Sequence, residues 1–265
     1  MRLSDIQEIF DREQRREVLY PNVAREDNGL TVRHINLLPG EQGFVVYSRL
    51  NENNVEQAIR AEIERFGSIS QNFVWKVYDH DTPPDLKERL QAHGFTPQEV
   101  EAVLVIDLQD APSGLYNPPA HDVRRLTDPD LILAAFEAVE VPVWRDDHML
   151  SLGKQLLQEM QTAPQEMSFF AVYDQNLPIS LAWIRYHPGT QFAGLWGGST
   201  LEQYRGKGAY QALLAARAQE ARMRGARFLT VDASPMSEPI LVRRGFQLVS
   251  HAQDFDYKFS RIPNQ

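Results

Sequence analysis

A short segment with two glycines, Tyr204-Arg205-Gly206-Lys207-Gly208-Ala209-Tyr210, has the residue types and spacing to hold an anion. We call its last six residues, Arg205 to Tyr210, the glycine loop. It separates an apolar stretch, Phe192 to Leu201, from a helix-like one, Gln211 to Arg224. Two glycines let the backbone approach a ligand closely, and the following helix begins with unpaired N–H groups that suit a phosphate. The alternative is an ordinary strand-to-helix turn followed by a solvated basic helix.

The local charge favours an anion-binding loop, and the spacing of its glycines excludes two known types of phosphate-binding loop. Residues 201–225 contain five basic and two acidic residues, in a chain whose formal net charge is −9. A P-loop is excluded because it needs Ser or Thr after its Gly-Lys pair, whereas Gly208 follows Lys207. A dinucleotide-binding loop is excluded because it needs a third glycine at the position of Gln211.

The pattern that fits is Arg-x-x-Gly-x-(Gly/Ala), and through it the chain resembles the GNAT superfamily of acyl-CoA-dependent N-acetyltransferases. Arg205 and Gly208 match this motif, whereas Tyr210 does not. The resemblance covers roughly Val123 to Phe259, because a helix, a strand and a Gly-Phe pair follow the loop in the order of that family. It implies a mixed α/β fold with a central, mostly antiparallel sheet flanked by helices.

The resemblance also implies the co-substrate and the positions that bind it. In that family the amides of this loop hold the pyrophosphate of acetyl-CoA, and the edge of the preceding strand pairs with the pantetheine arm. By position these roles fall on Ser199, Thr200 and Leu201 in the strand and on Arg205, Gly206, Lys207, Gly208, Ala209 and Tyr210 in the loop.

Composition excludes several other classes of protein. The 265 residues are 43% apolar and 24% charged, with neither an apolar run of about 18 residues nor a charged-then-apolar leader. We therefore expect a cytoplasmic protein that has no membrane partner. The acidic balance disfavours nucleic acid and favours a cationic acceptor such as an amine. The oligomeric state does not follow from the sequence.

The absence of cysteine limits the chemistry. With no cysteine among the residues, disulfides, thiolate metal sites and a cysteine nucleophile are all excluded. The seven histidines show no His-x-x-x-His pair on a helix, so we expect no metal. An acyl group must therefore pass directly to its acceptor, or through some other nucleophile.

A proline-rich segment, residues 109–120, predicts a domain boundary because it holds three prolines and a glycine. We expect a degenerate GNAT-like domain over residues 1–112 and an acetyltransferase domain with the acetyl-CoA site over 121–265. The first half repeats the helix-strand-helix order of the second, but residues 49–54 enter its helix without a glycine. The alternative is that any two α/β halves share this order.

Acyl transfer to an amine needs an oxyanion donor, a base and an acid. Gly197 and Gly198, adjacent inside a predicted strand, indicate a β-bulge that frees a backbone N–H for the oxyanion. The alternative is close packing of a neighbour such as Trp196 over the two glycines. For the base, Glu140 is the best placed carboxylate, although surface carboxylates are far commoner than bases.

The position of the general acid departs from the pattern of the family. The family usually has a tyrosine four residues ahead of the Gly-Phe glycine, and this chain has Leu241 there. Ser234 is the candidate in its place, and Ser237 is better explained as a helix N-cap. The segment Val141 to His148 is expected on the acceptor side, with Trp144 more typical of core than of a lid.

Three functions stay open at this point. The first is an acetyl-CoA-dependent N-acetyltransferase that moves an acetyl group directly to an amine of a small molecule or peptide. The second is a non-catalytic acyl-CoA-binding module, which the leucine at the acid position favours. The third is a structural interaction protein, which would have no affinity for CoA.

Overall fold

The computed structural model describes residues Met1 to Phe259, which form eleven strands and eight α-helices. The strands are β1 (Val23–Asp27), β2 (Thr31–Asn36), β3 (Gly43–Ser48), β4 (Phe73–Tyr78), β5 (Thr96–Asp107), β6 (Asp122–Leu126), β7 (Met167–Asp174), β8 (Leu177–Tyr186), β9 (Phe192–Thr200), β10 (Phe228–Ala233) and β11 (Gln247–Tyr257). The helices are α1 (Leu3–Phe10), α2 (Val55–Gly67), α3 (Leu86–Ala92), α4 (Pro129–Ala135), α5 (Val141–Trp144), α6 (His148–Thr162), α7 (Ala209–Met223) and α8 (Glu238–Val242).

The chain divides into two compact units. Among the described residues, the first unit contains 1–104, 232–239 and 248–259, and the second contains 105–231 and 240–247. This division differs from the predicted boundary, which assigns everything after residue 121 to one domain. The difference arises because β11 pairs with β4 in antiparallel register, with Ala252 opposite Tyr78. The end of the chain therefore completes the sheet of the first unit.

The first unit has the strand order β1-β2-β3-β4-β11-β5. Neighbours whose pairing is described run antiparallel, except β3 and β4, which run parallel. Helix α2 buries Val55, Ile59 and Phe66 against Phe73 and Trp75 of β4. These helix positions are four and seven residues apart, the spacing of one buried face. Helix packing on one face of the sheet thus forms the core of this unit.

The second unit has the strand order β10-β9-β8-β7-β6. Strands β6 to β9 run antiparallel, and β10 runs parallel to β9. A core that includes Phe136, Leu156, Phe169 and Trp183 lies between the sheet and helices α4 and α6. Helix α7 packs on β7, β8 and β9 with a separate set of buried residues. The predicted mixed α/β fold, with a mostly antiparallel sheet flanked by helices, is confirmed.

Candidate functional site

The glycine loop leaves a row of backbone amides open. Gly206 and Gly208 have φ values of +73° and +92°, and Gly208 is the N-cap of α7. Within the described chain, none of the N–H groups of residues 206–211 donates to a protein acceptor. The next amide, that of Ala212, donates to Gly208 O at 3.0 Å and starts the helical pattern. Six consecutive donors at a helix start therefore have hydrogen-bonding capacity for an anion.

The side of the glycine loop at Gly208 is packed, whereas the side at Gly206 is open. A Cβ atom added to Gly208 would lie 2.8 Å from Pro119 Cγ, and His121 Nε2 lies 2.8 Å from Lys207 O. A Cβ atom added to Gly206 would meet nothing within 4 Å. The protein therefore supports the loop from one side and leaves the other side accessible to a ligand.

The start of α2 in the first unit shows the opposite arrangement. Asn51 N donates to Asn54 Oδ1 at 2.8 Å, and Asn53 N donates to Asn51 Oδ1 at 2.9 Å. The amides of Asn54 and Val55 both donate to Asn51 O, at 3.2 and 3.1 Å. Because these asparagines satisfy the amides at the helix start, an anion has few donors left there.

A β-bulge lies at the two adjacent glycines of β9. Leu181 of β8 pairs with Ser199, and Ala182 pairs with Gly197, so Gly198 has no partner in the ladder. Both glycines have positive φ, +66° and +95°. Close packing is present as well, but Trp196 is not its source. A Cβ atom on Gly197 would collide with the Trp183 ring, and one on Gly198 would lie 2.8 Å from Tyr210 Cε2.

The far half of β9 has an unpaired edge. Strand β10 pairs with β9 only from Phe228 opposite Phe192 to Thr230 opposite Gly194, in the register described for this pair. Beyond Gly194 strand β9 continues through the bulge to Thr200. No strand pairs with β9 between Gly194 and Thr200 in this register, and the carbonyls of Trp196 and Thr200 accept instead from Arg217 and Arg205. An extended ligand can pair with the part of this edge that those side chains leave open.

A buried arginine holds the backbone that leads into the bulge. The Arg217 side chain of α7 donates from Nη1 to Trp196 O at 3.1 Å and to Trp183 O at 3.3 Å. It is almost fully buried, and burial lowers its pKa to about 10. Because it binds the carbonyl just before Gly197, Arg217 fixes the peptide from which the bulge starts.

Glu140 ends a π-helical segment, Phe136–Glu140, that directly follows α4. Single π-helical turns occur frequently at functional sites. Glu140 Oε2 accepts from Ser199 Oγ at 2.7 Å and from Trp144 Nε1 at 2.9 Å, while its Oε1 is buried without a hydrogen-bond partner. Burial raises the pKa of this carboxyl to about 7, although both hydrogen bonds oppose the shift. A carboxylate with this pKa exchanges protons near neutral pH.

Solved structures with the same architecture identify the fold. A GCN5-related N-acetyltransferase from Kribbella flavida superimposes with a TM-score of 0.69 over 98% of this chain and 95% of its own, at 14% identity. A tandem GNAT protein from the clavulanic acid biosynthesis pathway gives 0.62 over 94% and 86%, at 11% identity. The chain has the GNAT fold. A GCN5-related N-acetyltransferase from Sphaerobacter thermophilus gives 0.58 over 86% and 76%, at 16% identity.

Sequence comparison adds nothing to this identification of the GNAT fold. No protein-family model matches the chain, and no curated protein matches it either. The fold is thus retained at identities too low for its residues to be matched by sequence.

The acid position expected from the GNAT resemblance holds no proton donor. Leu241 is fully buried. Ser234 lies in the first unit, where its hydroxyl is 3.3 Å from that of Ser237, and Ser237 directly precedes α8. Of the predicted catalytic residues, Glu140 lies in the second unit in contact with Ser199. The catalytic role of Ser234 stays a prediction.

Two contributions to the site of this GNAT fold were not predicted from sequence. Ser199 was assigned only a backbone role, yet its hydroxyl bonds the Glu140 carboxylate from a position 59 residues further along the chain. Arg217 was counted only as one of the five basic residues of 201–225, yet its guanidinium is buried and binds backbone carbonyls. No local signal marks either contact, because each depends on elements that meet only in the folded chain.

Two other features are absent from the described residues, a metal site and a membrane-spanning helix. No group of three or more His, Asp or Glu residues there is arranged to hold a metal ion. No described helix is both long enough and apolar enough to span a bilayer.

The indole N–H of Trp144 is expected to report the ionisation of Glu140. Because Trp144 Nε1 donates to Glu140 Oε2, its NMR signal should shift with a midpoint near pH 7, the pKa to which burial raises the carboxyl. Substitution W144F assigns the signal among the four tryptophans. In the variant E140Q the same signal should stay constant from pH 5.5 to about 8.5, because glutamine does not ionise. A midpoint below about pH 5 in the wild type would show an ordinary, solvated carboxyl.

Proposed function

We propose that the second unit transfers an acetyl group from acetyl-CoA directly to an amine of a small molecule or peptide. The observation that carries this proposal is the row of six unpaired amides, residues 206–211, directly after the strand that bears the bulge and Ser199. The exposed side chains of Arg205 and Lys207 add positive charge where a diphosphate would lie. The GNAT fold supports acyl transfer in general.

The backbone would bind the co-substrate. The amides of the glycine loop, Arg205, Gly206, Lys207, Gly208, Ala209 and Tyr210, hold the pyrophosphate, since six donors at a helix start fit two phosphates. The unpaired edge of β9, ending at Ser199, Thr200 and Leu201, pairs with the pantetheine arm. Gly198, which lacks a ladder partner, supplies an N–H to the oxyanion, with Gly197 setting its direction.

Glu140 would act as the general base. An amine acceptor reaches the site protonated and must lose a proton before it attacks the thioester. Glu140 Oε1 is buried without a partner and is available to that proton, while Oε2 is held by Ser199 and Trp144. A base whose pKa is about 7 is well matched to this task at neutral pH. We expect the departing thiolate to take its proton from solvent.

The second candidate function is a non-catalytic acyl-CoA-binding module. The buried Leu241 favours it, because no hydroxyl stands where the GNAT resemblance places the acid. Thiol release in the presence of a panel of amines separates the two functions. A binding module would retain acetyl-CoA without releasing CoA with any member of the panel.

Calorimetric titration with acetyl-CoA tests the first step. We expect saturable binding with one site per chain, because the amides of Asn51, Asn53, Asn54 and Val55 at the corresponding helix start in the first unit are already bonded. Binding of desulfo-CoA with similar affinity would place the contacts on the diphosphate and pantetheine rather than the thioester. The proposal fails if acetyl-CoA does not bind at hundreds of micromolar.

Several aspects of this function stay predictions. We propose that the first unit is a degenerate GNAT-like copy without a cofactor site, which is consistent with the satisfied amides at the start of α2. A cytoplasmic location, and the absence of a nucleic-acid or membrane partner, follow from composition alone.

A further inference from the structure

The hydroxyl of Ser199 has the surroundings of a nucleophile. Its Oγ donates to Glu140 Oε2 at 2.7 Å, and Trp144 Nε1 donates to the same oxygen at 2.9 Å. A nucleophile, a base within hydrogen-bond reach and a third group that orients the base are the arrangement of an activated serine. We propose that, when no acceptor amine is bound, Ser199 takes the acetyl group, so that the protein hydrolyses acetyl-CoA through an acyl-serine. This inference rests on the acetyl-CoA site proposed above.

A second serine-glutamate pair in the same unit shows what is special about Ser199. Ser168 Oγ donates to Glu220 at 2.6 Å, but Glu220 also pairs with Arg224 at 2.7 Å and Arg125 at 3.1 Å. Two guanidinium groups therefore bind that carboxylate and compete with Ser168 for its oxygens. Among the described residues Glu140 has no Arg or Lys partner, and both of its donors are neutral. Its carboxylate therefore has the proton affinity that activation of a hydroxyl requires.

The position of Ser199 in β9 supports the same role. Ser199 directly follows Gly198, the bulge residue without a ladder partner. A backbone N–H next to a nucleophile is well placed to stabilise the oxyanion that forms when the nucleophile attacks a carbonyl. Arg217, through its bond to Trp196 O, holds the backbone on the other side of the bulge. The nucleophile and the oxyanion donor thus lie on one rigid stretch of strand.

The first step transfers the acetyl group to the protein. Ser199 Oγ attacks the thioester carbonyl carbon, and its proton passes to Glu140. The C–S bond then breaks, and the CoA thiolate takes that proton from Glu140. The products are acetyl-Ser199 and free CoA thiol, with no oxidation and no further reactant.

The second step hydrolyses the acetyl ester and regenerates the Ser199 hydroxyl. Glu140 takes a proton from water as the water oxygen attacks the ester carbon, and the C–Oγ bond breaks. The proton then goes to Ser199 Oγ, leaving acetate, one released proton and the original hydroxyl. Water is the one additional reactant in this step.

The two oxygens of Glu140 decide between hydrolysis and transfer. Oε2 is bonded to Ser199 and Trp144, whereas Oε1 is buried and unpartnered. An amine that binds beside Oε1 gives its proton to Glu140 and receives the acetyl group directly. Without an amine, Glu140 accepts the proton of the Ser199 hydroxyl instead.

The test uses the full-length protein with acetyl-CoA and no amine. Because the chain has no cysteine, a thiol reagent detects only released CoA, and thioester adducts to the protein cannot form. We expect slow, continuous thiol release and, after acid quenching, one acetyl mass on the peptide that contains Ser199. The variant S199A should lower the ratio of amine-independent to amine-dependent thiol release by about 10²-fold. The matched control S168A, which also removes a buried hydroxyl bonded to a glutamate, should leave this ratio unchanged.

The outcomes separate this inference from the proposed function. If the wild type binds acetyl-CoA and acetylates an amine but releases no thiol without one, the serine step is absent and the N-acetyltransferase stands. The same holds if S199A keeps the wild-type ratio. If acetyl-CoA does not bind at all, the proposed function itself fails. Acetyl on the Ser199 peptide, or loss of amine-independent release in S199A alone, supports the serine step.

Discussion

Replacing Glu140 by glutamine is expected to lower the rate of acetyl transfer to an amine by about 10²- to 10⁴-fold, the usual contribution of a general base. Glutamine keeps the size of the side chain, and its amide oxygen still accepts from Ser199 and Trp144. It cannot take a proton near neutral pH. Affinity for acetyl-CoA should stay at the wild-type value, because the proposed diphosphate site is the glycine loop and does not include Glu140. Steady-state rates with a fixed amine, together with calorimetric titration of acetyl-CoA, measure both effects.

The same substitution is expected to raise stability at alkaline pH. Burial raises the Glu140 pKa from 4.5 to about 7 in the folded protein, so between these values the unfolded chain releases a proton that the folded chain keeps. The free energy of unfolding therefore falls as pH rises through this window, by roughly 3 kcal/mol if the full shift is realised. Denaturant unfolding at pH 5 and pH 8 measures this effect. The free energy of unfolding of E140Q, relative to that of the wild type, should be higher at pH 8 than at pH 5.

A matched control distinguishes a base from a buried carboxylate of any kind. Glu220 is also buried and bonded to a serine, but Arg125 and Arg224 neutralise it. The variant E220Q should lose stability, because two arginines lose their ionised partner, and should keep its acetyl-transfer rate. Equal losses of activity in E140Q and E220Q would contradict a catalytic role for Glu140.

Affinity for acetyl-CoA is expected to fall about tenfold or more, about 1.4 kcal/mol, when Gly206 is replaced by alanine. Gly206 has a φ of +73°, a conformation that costs a residue with a Cβ atom about 1 kcal/mol or more. To relieve this strain the peptide rotates, and the N–H groups next to it turn away from their common target. No protein atom lies within 4 Å of the added Cβ atom, so the effect does not come from a clash. Calorimetric titration gives the change in affinity.

Gly225 provides the matched control for this substitution. It has a similar φ of +81° and, like Gly206, nothing within 4 Å of an added Cβ atom, but it lies at the opposite end of α7. The variant G225A should lose comparable stability and keep the wild-type affinity. Gly208 is less suitable, because a Cβ atom there would press on Pro119 and move the loop as a whole. If G206A and G225A bind acetyl-CoA as tightly as the wild type, the glycine loop is not the diphosphate site.

Local patterns in the sequence predict most elements of the second unit. Strand β9 covers the apolar stretch Phe192 to Leu201 except for its last residue. Helix α7 ends one residue before the helix-like stretch Gln211 to Arg224 does, because apolar periodicity and Gly225 mark the end of the helix. Strand β11 (Gln247–Tyr257) directly follows the Gly-Phe pair. Its local sequence does not indicate a partner strand, and residues Ala252 to Tyr257 pair with β4, which lies far away in the chain. Pairing between strands that are distant in the chain is the part of the fold that local sequence patterns do not predict.

By itself the sequence determined the kind of ligand that the glycine loop suits, since two glycines, a helix start and basic residues are local features. It also excluded thiol chemistry, because the chain has no cysteine. The tertiary structure decided which groups meet. The π-helical turn places Glu140 against Ser199 beside the bulge, and burial there raises the pKa of the carboxyl. Proton affinity depends on burial and on neighbours from distant segments, and only the folded chain defines these.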